Sequence, residues 1–185
     1  MALREILTEP NKLLRTKSIA AEKVDEDLQK LMNDMLETMY AAPGIGLAAI
    51  QVGVPKRVIV LDIGWRNKSE STGDEKQVVR KNPMYFVNPE IITKSTNNST
   101  YEEGCLSVPG QFAEIERPDK CHIKYLDYNG EKKLLKVEGL LATCIQHEID
   151  HLEGILFIDY LSKLKKTMII KKLSKQKGKS DRIVV

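Results

Sequence analysis

The pattern His147-Glu148-Ile149-Asp150-His151 constrains this chain more than any other stretch of it. Residues four apart lie about 40° apart around a helix, so two imidazoles at that spacing share one face and can chelate one ion only if the segment is helical. The lead-in Leu140-Leu141-Ala142-Thr143-Cys144-Ile145-Gln146 is apolar and Gly154 offers a stop, which predicts a helix from about Leu140 to Glu153. Glu148, next to the first histidine, is then placed to reach a water on the ion rather than the ion itself. The bare pattern also arises by chance, and two ordinary partly buried histidines are the bland alternative.

A hydrolytic ion needs a third protein ligand and one open position. His122, the remaining histidine, sits in a strand-like run beside Cys121, so the third ligand has to come from elsewhere. Glu102-Glu103-Gly104-Cys105-Leu106-Ser107 offers a cysteine in a glycine-containing turn, where a thiolate can approach an ion closely. Taken alone, such a cysteine reads more readily as a small buried hydrophobe than as a ligand.

With 185 residues, 42% hydrophobic and 30% charged, the chain fits one globular domain, 1–185, with a core that needs no disulfide staples. No apolar run approaches the length of a membrane span, and Met1-Ala2-Leu3-Arg4-Glu5-Ile6-Leu7 lacks the apolar core and cleavage site of a secretory signal. Three cysteines without an export signal favour reduced thiols in a cytoplasmic setting of bacterial type, although a processed organellar protein would look the same. A net charge of +3 is too small for a DNA-binding protein. The cations are concentrated at the end: Lys163, Lys165, Lys166, Lys171, Lys172, Lys175, Lys177, Lys179 and Arg182 are opposed there by Asp181 alone, so a polyanion contact belongs on that segment.

Leu28, Leu31, Met32, Met35, Leu36 and Met39 recur at steps of three and four behind a possible Asp25 cap, which predicts an amphipathic helix ending before Pro43-Gly44. Arg57–Ile63 reads as a strand, as do short pieces around Tyr85–Val87 and Glu90–Thr93, with a turn at Thr96-Asn97-Asn98-Ser99. Lys120–Asp127 and Lys132–Glu138 flank Asn129-Gly130, a pair suited to the left-handed turn of a hairpin. Gly64–Asn82 reads as a surface loop or mobile insertion, and Lys163–Ser174 as a basic helix docked through Leu164, Met168 and Leu173. Together these predict an α+β fold: short, mostly antiparallel sheets around a central metal-binding helix, with an amphipathic helix before it and a basic one after it.

Gly44-Ile45-Gly46-Leu47-Ala48-Ala49-Ile50-Gln51, Glu103-Gly104-Cys105-Leu106-Ser107 and Gln146-His147-Glu148-Ile149-Asp150-His151, in that order, resemble the three signature motifs of the peptide deformylases, and the likeness extends over nearly the whole chain. The resemblance implies removal of the formyl group from the N-terminal formylmethionine of nascent polypeptides, with release of formate. It implies Cys105, His147 and His151 as metal ligands, Glu148 as general acid and base, and Gln51 with the Leu106 N–H as oxyanion donors. The ion implied is Fe(II) in the cell, with Zn(II), Ni(II) or Co(II) able to replace it. Ile45, Gly46 and Gly104 would meet the peptide. Leu140 and Cys144, seven and three residues before His147, share its helix face and would line the methionine pocket, with plain core packing as the alternative. Glu103 and Arg117 match a charged pair bracing the cysteine loop. Arg66–Lys81 is longer than in compact members, and Phe112 stands where some members carry a basic residue.

Two other readings stand beside this one. A metallopeptidase with the same helical pattern would take its third ligand downstream, where Glu153 and Asp159 are the candidates, and would leave the Cys105 motif unexplained. An RNA-binding module with a structural ion would need four protein ligands, and three are apparent. The resemblance to the peptide deformylases implies ribosome contact through the C-terminal helix, which the lysine cluster there suits, with a frayed solvated end as the alternative. A thiolate beside Fe(II) further predicts faster inactivation in air than for the zinc form.

Overall fold

The computed structural model describes residues 2–64 and 81–180. Helix α1 (Glu26–Ala41) starts where the Asp25 carboxylate accepts from the Leu28 N–H at 3.0 Å, with Glu26 and Asp27 in its first turn. Strands β1 (Gly46–Ala48), β2 (Val58–Leu61), β3 (Met84–Lys94), β4 (Asn98–Cys105), β5 (Val108–Pro118), β6 (Lys120–Leu126) and β7 (Lys132–Glu138) follow, then α2 (Gly139–Leu152) and α3 (Lys163–Ser180). Five strands form one sheet in the order β1-β2-β3-β6-β7, and β4 pairs with β5 in a second. All of these pairings are antiparallel, as expected of an α+β chain. β3 and β5 run to 11 residues each, longer than the short strands anticipated.

The larger sheet is covered on both faces. Val58, Val60 and Val87 pack with Leu28, Met32, Met35 and Met39 of α1, while Ile59, Leu61, Phe86 and Ile123 pack with Ala142, Ile145, Ile149 and Leu152 of α2. Double coverage accounts for the unbroken apolar run Val58-Ile59-Val60-Leu61, which has no solvent face to alternate toward. A third cluster joins the smaller sheet, through Val108 and Ile115, to Leu156, Phe157 and Ile158 and to Leu173 of α3. Helix α2 therefore lies between the two sheets, and most of its residues are buried.

Several local expectations need correction. The two pieces read around residues 85–93 are one strand, with the register shifting between Val87 and Glu90. Asn88 takes φ 52 at that shift and is held there because its side chain both donates to and accepts from the Ala21 backbone at 2.8 Å. The predicted turn at Thr96–Ser99 is shorter, since Asn98 and Ser99 already belong to β4. The β6–β7 hairpin forms as anticipated but over a five-residue connection: the Asp127 carboxylate accepts from the N–H groups of Asn129 and Glu131, and only Gly130 of the Asn-Gly pair is left-handed, at φ 81. Helix α3 docks through Ile169, Ile170 and Leu173, the last 3% exposed, whereas Leu164 and Met168 are 73% and 62% exposed. The stripe that docks is thus a neighbouring one, hidden by the lysines around it.

Residues 65–80 of the predicted loop, Asp181 and Arg182 lie outside the described residues. The loop's two ends converge on Asp62, whose carboxylate accepts from the N–H groups of Gly64 (2.8 Å) and Asn82 (3.0 Å) and from the Tyr40 hydroxyl. Among the described residues no helix is long and apolar enough to cross a membrane.

Candidate metal centre and active site

The β4–β5 pairing carries the irregularity that makes the site. Gly104 faces Phe112, but the next residue, Cys105, faces Val108, so Pro109, Gly110 and Gln111 bulge from β5. Gly110 supports the bulge at φ 66. The kink lets Phe112 lie over Gly104, where a Cβ would come within 2.6 Å of the ring, and turns Cys105 toward α2. There, His147 and His151 stand one turn apart with ring centroids 5.0 Å from each other. Cys105 Sγ lies 3.2 Å from His151 Nε2, and one donor atom from each of the three residues falls within 4.8 Å of the others.

One thiolate and two imidazoles suit a borderline divalent ion of the iron, cobalt, nickel or zinc type. The surroundings fit that use. His147 Nδ1 lies 2.8 Å from Glu103 Oε2, which fixes the ring and leaves Nε2 for the shared point. The Ser107 N–H donates to Cys105 Sγ at 3.4 Å. Burial and the neighbouring His147 hold the His151 imidazolium well below its usual range, which favours the neutral, ligating ring. Burial works the same way on His147 but is outweighed by its hydrogen bonds to Cys105 and Glu103, so its proton affinity is raised.

Arg117 is only 4% exposed and binds Glu103 through two bonds, Nε to Oε1 at 2.5 Å and Nη2 to Oε2 at 3.0 Å. Its Nη1 donates to Asp150 Oδ2 at 2.7 Å, and the Tyr160 hydroxyl donates to the same oxygen at 2.8 Å. Burial opposes the Glu103 charge, yet the His147 and Arg117 hydrogen bonds prevail and keep its pKa below the ordinary value. The expected pair is thus one arm of a network, and Asp150 and Tyr160 were not singled out from the sequence. Asp150 lies inside the histidine pattern, which was a usable signal, whereas Tyr160 carried none.

Gln51 is buried in a 3₁₀ turn (Ala49–Val52). Its Oε1 accepts from the Ala48 N–H at 2.8 Å, and its Nε2 donates to Ser107 Oγ at 3.0 Å and faces Cys105 Sγ at 3.5 Å. Ser107 was also missed. The N-terminal segment fastens both residues, the Leu7 N–H donating to the Gln51 carbonyl at 2.7 Å and the Glu9 N–H to the Ser107 carbonyl at 2.9 Å. Glu148 is buried against β1: a Cβ on Gly46 would lie 2.9 Å from the Glu148 carboxyl carbon and 2.8 Å from a Leu61 methyl. Glu148 Oε2 has no hydrogen-bond partner among the described residues. Burial is the main reason its pKa is pushed up to about 7, with Glu103 and Asp150 adding to the shift and His147 and Arg117 opposing it.

A cavity of about 480 Å³ gathers these groups. Ile45, Gly46, Gln51, Glu103, Gly104, Cys105, Leu106, Leu140, Cys144, His147 and Glu148 all line it, joined by Thr143, Tyr101 and Phe112, which the sequence reading did not place there. His151 and Arg117 do not line it. Burial, with Glu148 and Glu103 nearby, pushes the Cys144 thiol up to about 12, so it stays protonated. Cys121 is buried in the core of the larger sheet. The downstream carboxylates are otherwise engaged: Glu153 with Arg57 (2.5 Å) and Lys17 (2.8 Å), and Asp159 with Arg15 and Lys166 (both 2.5 Å). Asp159 helps to line a wider, shallower hollow of about 720 Å³, whose carboxylates are neutralised by those same cations.

Residues 3–167 match the sequence profile of the polypeptide deformylases. A peptide deformylase of Pelagibacter ubique is 65% identical over 185 residues, covering 100% of both chains, and one of Phenylobacterium zucineum is 57% identical over 95% of this chain and 97% of its own. Among solved structures, the peptide deformylase of Ehrlichia chaffeensis in complex with actinonin superimposes with a TM-score of 0.86 at 43% identity, covering 95% of this chain and 98% of the other. A Legionella pneumophila peptide deformylase gives 0.83 at 43% identity, with 98% and 99% covered. The chain carries a Cys/His/His metal-binding group in a hydrolase fold and belongs to the polypeptide deformylase family.

Proposed function

We propose that the chain, acting as one unit over 1–185, hydrolyses the formyl amide at the N-terminus of formylmethionyl peptides to give formate and a free amine. The observation that carries this is Glu148: a buried carboxyl with one unpartnered oxygen, on the same helical turn as two ligands and facing the cavity that Gln51 and Cys105 line. An ion held by Cys105, His147 and His151 supplies Lewis acidity when bound. Fe(II) is our proposal for the cell, with Zn(II), Ni(II) or Co(II) compatible with the same donors.

Glu148 takes the proton of the attacking water at its carboxylate and returns one to the departing amine nitrogen, which requires a proton affinity near neutrality. Gln51 Nε2 and the Leu106 N–H donate to the oxyanion, and loss of one such donor costs about 3 kcal/mol of transition-state stabilisation. The edge at Ile45–Gly46 pairs with the extended peptide, Gly104 leaves room for it, and Leu140 with Cys144 lines the methionine pocket. Glu103 and Arg117 act through His147 by fixing its ring. We further place the activity in a bacterial-type cytoplasm, with α3 offering its lysines to the ribosome.

Formate release from formyl-Met-Ala-Ser by iron-loaded protein under anaerobic conditions tests the reading, beside a Glu148→Ala variant shown to retain its ion. The expected result is robust turnover by the parent protein and a loss of at least about 100-fold in the variant. No formate from ion-loaded parent protein would remove the deformylation reading and favour a metallopeptidase.

A further inference from the structure

Asp62, just beyond β2, is a buried carboxylate outside the cavity lining. It accepts from the Tyr40 hydroxyl and from the N–H groups of Gly64 and Asn82, while its own N–H donates to the Ile45 carbonyl at 2.9 Å. Hydrogen bonds to an ionised acceptor are about twice as strong as those between neutral groups. Burial, with the Asp62 carboxylate beside it, holds the Tyr40 hydroxyl above its ordinary range, so it remains a donor. Lys81 Nζ covers the Tyr40 ring 4.2 Å from its centroid.

Tyr40 lies in the last turn of α1, and Ile45 immediately precedes β1. Between them the chain turns from helix to strand, and Ala42, Pro43, Gly44, Ile45 and Gly46 form one continuous stretch of the cavity wall. These five residues are half-buried or exposed, so core packing holds them weakly. Apart from the Gly44 N–H bond to the Met39 carbonyl at 2.9 Å, the stretch depends on its two ends. Asp62 holds both: the α1 end through its side chain and the β1 end through its backbone.

We infer that Asp62 is a positioning residue for peptide binding, which keeps the Ala42–Gly46 wall in the shape an extended peptide needs by fastening Tyr40 and Ile45 to one point. The inference rests on the deformylation reading, in which the Ile45–Gly46 edge pairs with that peptide. Asp62 acts through the wall and not on the reacting atoms. Its loss therefore weakens binding of the residues beyond the methionine and leaves the chemical step alone, which appears as a raised KM at constant kcat.

The test measures kcat and KM separately with ion-loaded protein on formyl-Met-Ala-Ser and on formylmethioninamide, which has no residue after the methionine to lie along the wall. Tyr40→Phe removes the hydroxyl and keeps the ring. It should raise KM for the longer peptide about five-fold, part of the worth of one charge-assisted hydrogen bond, with kcat within about two-fold of the parent. Formylmethioninamide should keep the parent's KM and kcat. Asp62→Asn, in which an amide NH₂ must face one of the N–H or O–H donors, should show the same split more strongly. An unchanged KM for the longer peptide in Asp62→Asn, or equal losses on both substrates, would overturn the inference, the second by reducing Asp62 to a support of the fold. Tyr40→Phe decides by the same criteria should the asparagine protein not fold. Formate from the parent without the split leaves the deformylation reading standing, whereas no formate from either substrate removes both.

Discussion

Arg117 is the side chain whose loss has the most legible consequences. Its guanidinium is buried, makes two bonds to Glu103 and one to Asp150, and is backed by the Tyr160 ring 4.9 Å away. Arg117→Met preserves much of the stem's volume and removes the charge. Among the described residues, Glu103 then keeps only His147 as a side-chain partner and Asp150 only Tyr160. Removing one partner of a buried pair costs about 3–5 kcal/mol because an uncompensated charge stays behind, a large share of the roughly 5–15 kcal/mol that holds a domain together. His147 is also less firmly oriented, which should weaken ion binding about 10- to 100-fold. Urea unfolding of ion-free protein followed by circular dichroism measures the first effect, and competition with a chromogenic chelator the second. Adding Glu103→Gln should recover part of the stability, since the buried Glu103 charge is then no longer stranded and only the part-exposed Asp150 carboxylate lacks its guanidinium, and the two substitutions should couple by about 1–3 kcal/mol. A single-variant cost below about 1 kcal/mol with unchanged ion affinity would refute the reasoning and make the network a solvated ornament.

Other substitutions probe separate parts of the structure. Gly46→Ala pushes a methyl against the Glu148 carboxyl and Leu61, and should lower kcat about 100-fold while circular dichroism shows a folded protein; near-normal kcat would mean that β1 can yield. Asp34 is buried and holds the N-terminal segment through the Ala2 N–H and Arg4, which lower its pKa from the usual 3.8. Because the folded-state value is depressed, the ion pair's contribution is complete above about pH 5 and is lost as pH falls through that lower value. Asp34→Asn should therefore cost about 1–2 kcal/mol at pH 7 and progressively less below pH 4, and a gap in urea midpoints that does not close on acidification would contradict this. Lys171, Lys172 and Lys175 of α3 are exposed, so Lys171→Glu/Lys172→Glu/Lys175→Glu should weaken salt-sensitive co-sedimentation with ribosomes without altering turnover of a short peptide. Truncation after Tyr160 is a poorer test, because it would uncover the core that Leu173 seals.

Periodicity behind the Asp25 cap made α1 readable, whereas α2, whose first turn no side chain caps, was readable from its histidine spacing and apolar lead-in. The β6–β7 hairpin was readable because Gly130 marks its turn. The remaining misreadings share a physical cause. β5 contains Pro109, Gly110 and Pro118, which locally signal loop, and only pairing with β4 makes the segment a strand and turns the proline and glycine into a bulge. Asn88 interrupts β3 locally, but its bonds to Ala21, far away in sequence, make that interruption part of a continuous strand. The same holds for the site. His147, Glu148 and His151 follow from helical spacing alone, whereas Ser107, Tyr160 and the fastening by Leu7 and Glu9 depend on tertiary contacts that no local window contains.

The position of α2 between the two sheets has a mechanical consequence. Cys105 belongs to the smaller sheet, while His147 and His151 belong to the helix seated on the larger one. An ion shared by all three would therefore act as a rivet through both layers and close a loop of about 40 residues, a cross-link comparable to a disulfide worth about 4 kcal/mol in chain entropy. A half-assembled chain has no complete set of donors to offer, so a tight grip on the ion coincides with the docking of the two layers. Once riveted, neither sheet can peel away alone, and unfolding becomes an event of the whole molecule.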